Sequence, residues 1–317
     1  MSLPLVTLDT VRRAHTALGT RVRRTPMMAS ATLSALTGAD LLLKLELFQK
    51  TGSFKARGAL NRIDELTADE RARGVVTISA GNHAQAVAWA ARAAGTTATV
   101  VMPATAVRSK VEATRGYGGA VVQTDGDLLA TALAIKDERG LAMVHPFDDP
   151  AVIAGAGTLG LELFEEITDA DVVLVGCGGG GILSGIGIAA RALRPECRVI
   201  GVEPEGAPGM RSSLDAGAPQ KLAAVNTVAD GLAAPFAGNL TFEHVLRLNL
   251  EVVTVPDAAI IEAMWLLIER CKLLVEPAGA AGLAAIMCGK VAVAPGERVV
   301  CVVTGGNIDR ERLRALA

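Results

Sequence analysis

Three short stretches of this 317-residue chain hold residue types that do chemistry together. Lys55 sits in Gln49-Lys50-Thr51-Gly52-Ser53-Phe54-Lys55-Ala56-Arg57-Gly58-Ala59, a polar, glycine-bearing stretch that opens a helical pattern. A free lysine amine, with a pKa of about 10.4, is almost wholly protonated at pH 7. To act as a nucleophile it must be activated or already tied up as a Schiff base. Thr77-Ile78-Ser79-Ala80-Gly81-Asn82-His83-Ala84-Gln85 reads as a strand end, a small-residue turn and a helix start. Such a turn offers free N–H groups and an Asn amide to a carboxylate or a ring oxygen. Downstream, Asp171-Val172-Val173-Leu174-Val175 runs into Gly176-Cys177-Gly178-Gly179-Gly180-Gly181 and then a helix. Backbone N–H groups of stacked glycines converge on an anion, and the helix dipole adds about 0.3–2 kcal/mol, so a phosphate cradle is the functional reading. A crowded strand-to-helix turn that needs glycine only for packing is the bland one.

The same glycines also match a nicotinamide fingerprint. Gly176, Gly178 and Gly181 fit G-x-G-x-x-G, and Glu203 ends the next strand, where a ribose-binding acid belongs. A nicotinamide-dependent oxidoreductase is therefore a competitor. Against it, four consecutive glycines exceed what the fingerprint needs, and the Lys55 and Ser79–His83 stretches are left unexplained.

The elements that must position these residues follow a βαβ alternation. Apolar runs at 74–78, 98–102, 120–123, 171–175, 198–202 and 298–303 predict buried parallel strands. Helical patterns lie between them, for example over 82–94, 110–116 and 182–193. The implied fold class is α/β, with a parallel sheet covered on both faces. Composition agrees: 50% hydrophobic, 20% charged, 3% aromatic and 34 glycines make a large Ala/Val/Leu/Gly core, with length for two domains. Two prolines in His145-Pro146-Phe147-Asp148-Asp149-Pro150 mark a plausible domain junction. A net charge of -2 offers no field for nucleic acid. No apolar run reaches membrane-span length, and residues 1–26 lack a signal-peptide core. The five cysteines (Cys177, Cys197, Cys271, Cys288, Cys301) have no C-x-x-C spacing, so neither disulfides nor zinc are expected and a reducing cytoplasm is the default. One short helix is expected after Asn307, with no appended regulatory domain.

Taken together, Lys50-Thr51-Gly52-Ser53-Phe54-Lys55, Ser79-Ala80-Gly81-Asn82-His83 and Gly178 to Gly181 resemble the fold-type II pyridoxal-phosphate enzymes. Threonine/serine dehydratases and serine racemase are the members they resemble, from Arg24-Thr25-Pro26 to Thr304-Gly305-Gly306-Asn307. The resemblance implies a two-domain, tryptophan synthase β-like fold with parallel twisted sheets flanked by helices. Residues 1–47 and 146–317 would form a large domain carrying the phosphate-binding glycine loop. Residues 48–145 would form a small domain carrying the substrate-carboxylate loop, with Lys55 at the cleft between them. Lys55 is implied to hold pyridoxal 5'-phosphate as a Schiff base and to act as the Cα base, with Phe54 packed on the ring and Asn82 bonded to the ring hydroxyl. Gly178, Gly179, Gly180 and Gly181 would bind the phosphate, and Ser79, Gly81, Asn82 and His83 the substrate carboxylate. Thr304 falls where the family faces the pyridine nitrogen with a hydroxyl or thiol, which leaves the ring largely neutral and suits β-elimination. The resemblance further implies a homodimer acting on a small amino acid.

Within the resemblance, the expected activity is threonine/serine dehydratase (ammonia-lyase): β-elimination of a hydroxy amino acid to a 2-keto acid and ammonia. Serine racemase and 3-hydroxyaspartate ammonia-lyase are the alternatives. Racemisation needs an acid/base on the face opposite Lys55, where the racemase pattern has a serine and this chain has Ala80. Ala234 likewise replaces a racemase serine, whereas Glu46-Leu47-Phe48-Gln49-Lys50-Thr51-Gly52 is close to the racemase version. The family commonly shows Gly-Gln-Gly-Thr at Gly155-Ala156-Gly157-Thr158, so an altered substrate pocket is expected. Some relatives bind a divalent cation through positions matching Glu203, Ala207 and Gly209. Gly209 removes one carboxylate, leaving Glu203 and Ala207 either as ligands of a cation such as Mg²⁺ or as an ordinary strand end. Arg57 reads equally as support for Lys55 or a carboxylate, or as a surface ion pair, Cys177 as a buried filler, His145 as a junction residue, and Glu276 as orienting the ring side.

Overall fold

Among residues 5–317, which the computed structural model describes, the chain forms ten strands in two sheets, six of them at the apolar runs. In chain order they are β1 (Met27–Ala29), β2 (Asp40–Leu45), β3 (Val75–Ile78), β4 (Ala98–Pro103), β5 (Ala120–Thr124), β6 (Ala142–Met143), β7 (Val172–Gly176), β8 (Arg198–Pro204), β9 (Glu251–Val255) and β10 (Arg298–Val303). The larger sheet has the order β1-β2-β10-β7-β8-β9, parallel throughout except for β1, which pairs antiparallel with β2. The smaller sheet, β5-β4-β3-β6, is wholly parallel. Strand side chains alternate between faces, so each central strand of the larger sheet feeds two cores. Val172 and Leu174 enter one, with Val299, Cys301 and Val303. Val173 and Val175 enter the other, with Val300 and Val302. Helices cover both cores, which is why these strands carry no polar alternation.

Four strands lie outside the six apolar runs, and each has a local reason. β1 and β6 are three and two residues long. β9 sits at an edge and opens on exposed Glu251. β2 holds a lysine whose amine is fully buried: Lys44 Nζ donates to Thr25 O at 2.7 Å and to a Glu166 carboxylate oxygen at 3.2 Å.

The helix Pro150–Glu166 is the spine that holds the chemical elements together. Asp149 caps it, accepting from Ala151 N and Val152 N, and Pro150 starts it with a preset φ. It is buried along nearly all of its length and packs against the helices Lys55–Asp64 and Gly181–Leu193. Gly155 permits the first contact, since a Cβ there would lie 2.6 Å from Arg57 O. Ala156 is buried inside this spine and does not line the cleft.

Arg57, two residues beyond Lys55, is no surface ion pair. Its guanidinium is fully buried and grips Glu46 through Nε and Nη2, both at 2.8 Å. It also grips Glu162 of the spine at 2.7 and 2.8 Å. Burial opposes its charge, but the two carboxylates more than offset that and raise its pKa further. The Lys55 helix is thereby fixed in angle against both the spine and the end of β2.

Candidate active site

The carboxyl ends of β3, β7 and β10 open on one cleft with a cavity of about 290 Å³. Open α/β sheets bind ligands at that end of their strands, where loops and helix N-termini gather. Lys55, Phe54, Ser79, Gly81, Asn82, His83, Gly178 to Gly181 and Thr304 all line the cleft. Lys55 opens its helix, and its Nζ donates to Pro146 O at 2.7 Å and lies 5.1 Å from the Phe54 ring centroid. Burial pushes the Lys55 amine down to about 8. Thr304, at the end of β10, accepts the Phe54 N–H at 3.1 Å through its carbonyl, tying the Lys55 segment to the larger sheet.

The glycine loop satisfies both readings of its sequence. A Cβ on Gly179 would meet the Phe147 ring, and Gly180 has φ +93°, so packing does require glycine. Yet among the described residues none accepts the N–H of Gly178, Gly179 or Gly180. Those donors, with the free N–H groups of the helix Gly181–Leu193, form an anion cradle.

Asn82 starts the helix Asn82–Ala93, and its amide is held at both ends. Its Nδ2 donates to Glu276 Oε1 at 2.6 Å, and its Oδ1 accepts from Asn307 Nδ2 at 2.7 Å. Asn307 also reaches back to Thr51 O at 2.7 Å, joining this amide to the segment before Lys55. Glu276 is buried, and burial first, then the Asp230 charge, pushes its carboxyl up to about 8 against the Asn82 hydrogen bond. Ser79 Oγ accepts from Gly81 N at 3.1 Å, which shapes the turn.

The His83 imidazole lines the cleft as a neutral ring. Burial, and secondly the Lys55 charge, hold it down to about 3, so the ring is neutral. Its Nε2 lies 3.2 Å from Val144 O, a pure acceptor, so Nε2 carries the proton and Nδ1 has no partner among the described residues. A bare Nδ1 cannot donate to a carboxylate. What His83 offers a carboxylate is its backbone N–H in the first helical turn.

Glu203 and Ala207 stand apart from the cleft. Glu203 is fully buried at the end of β8, and its two oxygens accept from Met210 N at 2.7 Å and Arg211 N at 2.8 Å. It thus caps the helix Gly209–Ala216. Ala207 O already accepts from Gly209 N at 3.0 Å. Among the described residues no group of three or more His, Cys, Asp or Glu is placed to hold a metal. The same geometry removes Glu203 from ribose binding, because it caps a helix instead of facing the glycine loop.

Sequence reasoning missed Phe147, whose ring props the glycine loop and packs edge-on against His145 (4.7 Å) and Phe236 (5.6 Å). It also missed Lys110 and Asp230, which form an ion pair beside the cleft. Neither carried a local signal: Lys110 is one charge on a polar helix, and Phe147 sits in a loop read as a junction. Cys177 is buried beside the glycines, and burial raises its thiol pKa well above the ordinary value, as a filler requires.

A sequence profile described as pyridoxal-phosphate dependent enzyme matches residues 18–305. An L-threonine ammonia-lyase of Thermotoga maritima is 45% identical over 309 residues, covering 96% of this chain and 76% of that relative. Maize serine racemase superposes with a TM-score of 0.94 at 38% identity, covering 98% of this chain and 97% of that one. The T.th. threonine deaminase gives a TM-score of 0.90 at 40% identity, covering 96% of this chain and 99% of that one.

Proposed function

This chain belongs to the pyridoxal-phosphate-dependent enzyme family, and from that premise we propose that it is a threonine/serine ammonia-lyase. One observation carries the reading: a desolvated lysine amine, a cradle of free glycine N–H groups and a fixed Asn amide face one cleft. These residues fit pyridoxal 5'-phosphate. Gly178 to Gly181 would hold its phosphate, Lys55 its aldehyde carbon, Asn82 its ring oxygen, and Thr304 would meet the ring with a hydroxyl. When bound, the cofactor supplies an electron sink for the pair left at Cα.

The rest is done by the chain's own side chains. Ser79, Gly81 and the first N–H groups of the Asn82 helix orient the substrate carboxylate. With a pKa of about 8, about one Lys55 amine in ten is neutral at pH 7, against roughly one in several thousand for an unshifted lysine. The amine therefore serves as both the anchoring nucleophile and the base that takes the Cα proton. Ala80 and Ala234, which line the cleft, can transfer no proton, so reprotonation from the opposite face is disfavoured and β-elimination to keto acid and ammonia follows. The similarity to serine racemases supports racemisation as the second reading.

In this reading residues 48–145 move as the small domain against 1–47 and 146–317, with Lys55 at their junction. Exposed Phe48 and Leu274, on neighbouring segments bridged by Leu47 and Gly306, support a homodimer. Five free cysteines suit a reducing cytoplasm, and among the described residues no helix is long and apolar enough to cross a membrane. Glu203 and Ala207 do not fit a hard cation, because their oxygens already accept backbone N–H groups.

The test is spectroscopic and then chemical. Purified protein should show a visible band that borohydride bleaches and that Lys55→Ala lacks. L-threonine or L-serine should yield keto acid and ammonia. A chain that stays colourless with added cofactor would sink the reading, and D-serine without keto acid would replace lyase by racemase.

A further inference from the structure

Resting on the cofactor reading above, we propose that Asp148 and Thr241 are positioning residues that set the aim of the glycine loop. The helix Asn239–Arg247 has Gly238 as its N-cap, which has no side chain to cap with. Asp148, 91 residues earlier, supplies the cap: Oδ2 accepts from Asn239 N at 3.0 Å, and Oδ1 from Leu240 N at 2.8 Å and Thr241 N at 3.3 Å. A Cβ on Gly238 would collide with that carboxylate, so glycine there is what admits it.

The capped helix in turn holds the glycine loop. Thr241 Oγ1 donates to Gly179 O at 2.6 Å, and Gly238 N donates to the same oxygen at 3.4 Å. In a trans peptide the next N–H points opposite to the carbonyl. Tying Gly179 O to the helix therefore sends the Gly180 N–H away from it, on a residue that lines the cleft. Without the hydroxyl, a peptide flanked by glycines keeps only the longer Gly238 N–H contact at 3.4 Å, and the cradle's donor is held less firmly.

The segment that carries Asp148 touches the other end of the cleft as well. Pro146 O accepts from Lys55 Nζ, Phe147 lies against Gly179 and Gly181, and His145 Nδ1 accepts from Phe147 N at 3.3 Å and Asp148 N at 2.8 Å. One turn thus sets the distance between the amine and the phosphate cradle. The consequence is selective: disturbing it weakens a ligand that spans both ends more than one that uses only the amine.

The full chain, stripped of cofactor, is titrated with pyridoxal phosphate and separately with pyridoxal, following visible absorbance. Thr241→Val should raise the Kd for pyridoxal phosphate about tenfold, the effect of one lost hydrogen bond to a fixed donor array, with Thr241→Ser restoring it. The Kd for pyridoxal, which lacks the phosphate, should not move in either variant. Equal affinity of Thr241→Val and wild type for pyridoxal phosphate overturns the proposal, as does an equal loss for both ligands. Should Thr241→Val fail to fold, Asp148→Asn carries the test with the same expected selectivity and the same overturning results. A wild type that forms no band with pyridoxal phosphate overturns the cofactor reading instead.

Discussion

Asn82 and Glu276, 194 residues apart in the chain, meet at 2.6 Å through the Asn82 amide N–H and a buried carboxyl oxygen. The carboxyl is kept protonated up to about pH 8, mainly by burial and then by Asp230. In that state it accepts from Asn82 without placing a full charge beside the ring site.

Stability should therefore depend on pH through Glu276. Its folded pKa lies above its unfolded value of 4.5, so the native state holds more protons between pH 4.5 and about 8. Its contribution is complete below pH 4.5 and is lost as pH rises through about 8. In cofactor-free protein, wild type should lose on the order of 3–4 kcal/mol relative to Glu276→Gln between pH 5 and pH 8. Lys55 acts oppositely but above pH 8, since its lowered pKa releases its burial penalty from about 8 to 10.5. Urea titrations at pH 5, 6.5 and 8 follow Glu276 below the range of Lys55, and a constant gap between wild type and variant would refute the assignment.

Arg57→Met should destabilise the fold by about 3–5 kcal/mol, because Glu46 and Glu162 would remain buried without their partner. Arg57→Lys should rescue little, since an ammonium cannot reproduce the two bidentate grips. Urea midpoints measure this, and a loss under about 1 kcal/mol, the range of exposed pairs, would mean the network is solvated.

The difference between Arg57 and Lys55 shows what was legible in the sequence. Lys55, Asn82 and the glycines announce themselves because their chemistry depends on local order: a strand end, a turn, a helix start. The strands β3, β4, β5, β7, β8 and β10 were legible for the same reason, since burial on both faces writes an unbroken apolar run. Arg57, Lys110, Asp148 and Thr241 owe their roles to partners about 90 or more residues away, or to partners in other elements. Nothing in their immediate neighbours distinguishes them from surface polar residues. His83 is the instructive intermediate: its place at the cleft was readable, but its neutral, committed ring depends on Val144 and on burial.

Chelation should leave the activity unchanged. Glu203 already satisfies Met210 N and Arg211 N, and burial pushes its carboxyl up to about 7 although both N–H groups oppose this. Glu203→Gln keeps one acceptor and should lower stability by about 1 kcal/mol, the scale of a helix cap, with little change in kcat. Activity that falls with EDTA and returns with Mg²⁺ would show that a cation displaces these contacts.

Ala80→Ser should convert part of the elimination into racemisation. Ala80 belongs to the turn Ser79-Ala80-Gly81 that lines the cleft, and in the proposed reaction Lys55, at the start of its own helix, moves the proton on one face only. A hydroxyl at position 80 adds a group that can deliver a proton where the wild type has a methyl. General acid/base groups contribute about 10²–10⁴-fold when well placed, so even a poorly aligned serine should raise D-serine formation from L-serine at least about tenfold. Keto acid production should persist, because Lys55 and the glycine cradle are untouched. Chiral chromatography, with deuterium uptake at Cα in D₂O, distinguishes true two-face exchange from a slower lyase. A variant that makes no more D-serine than wild type would mean that the opposite face is closed by something other than the alanine methyl.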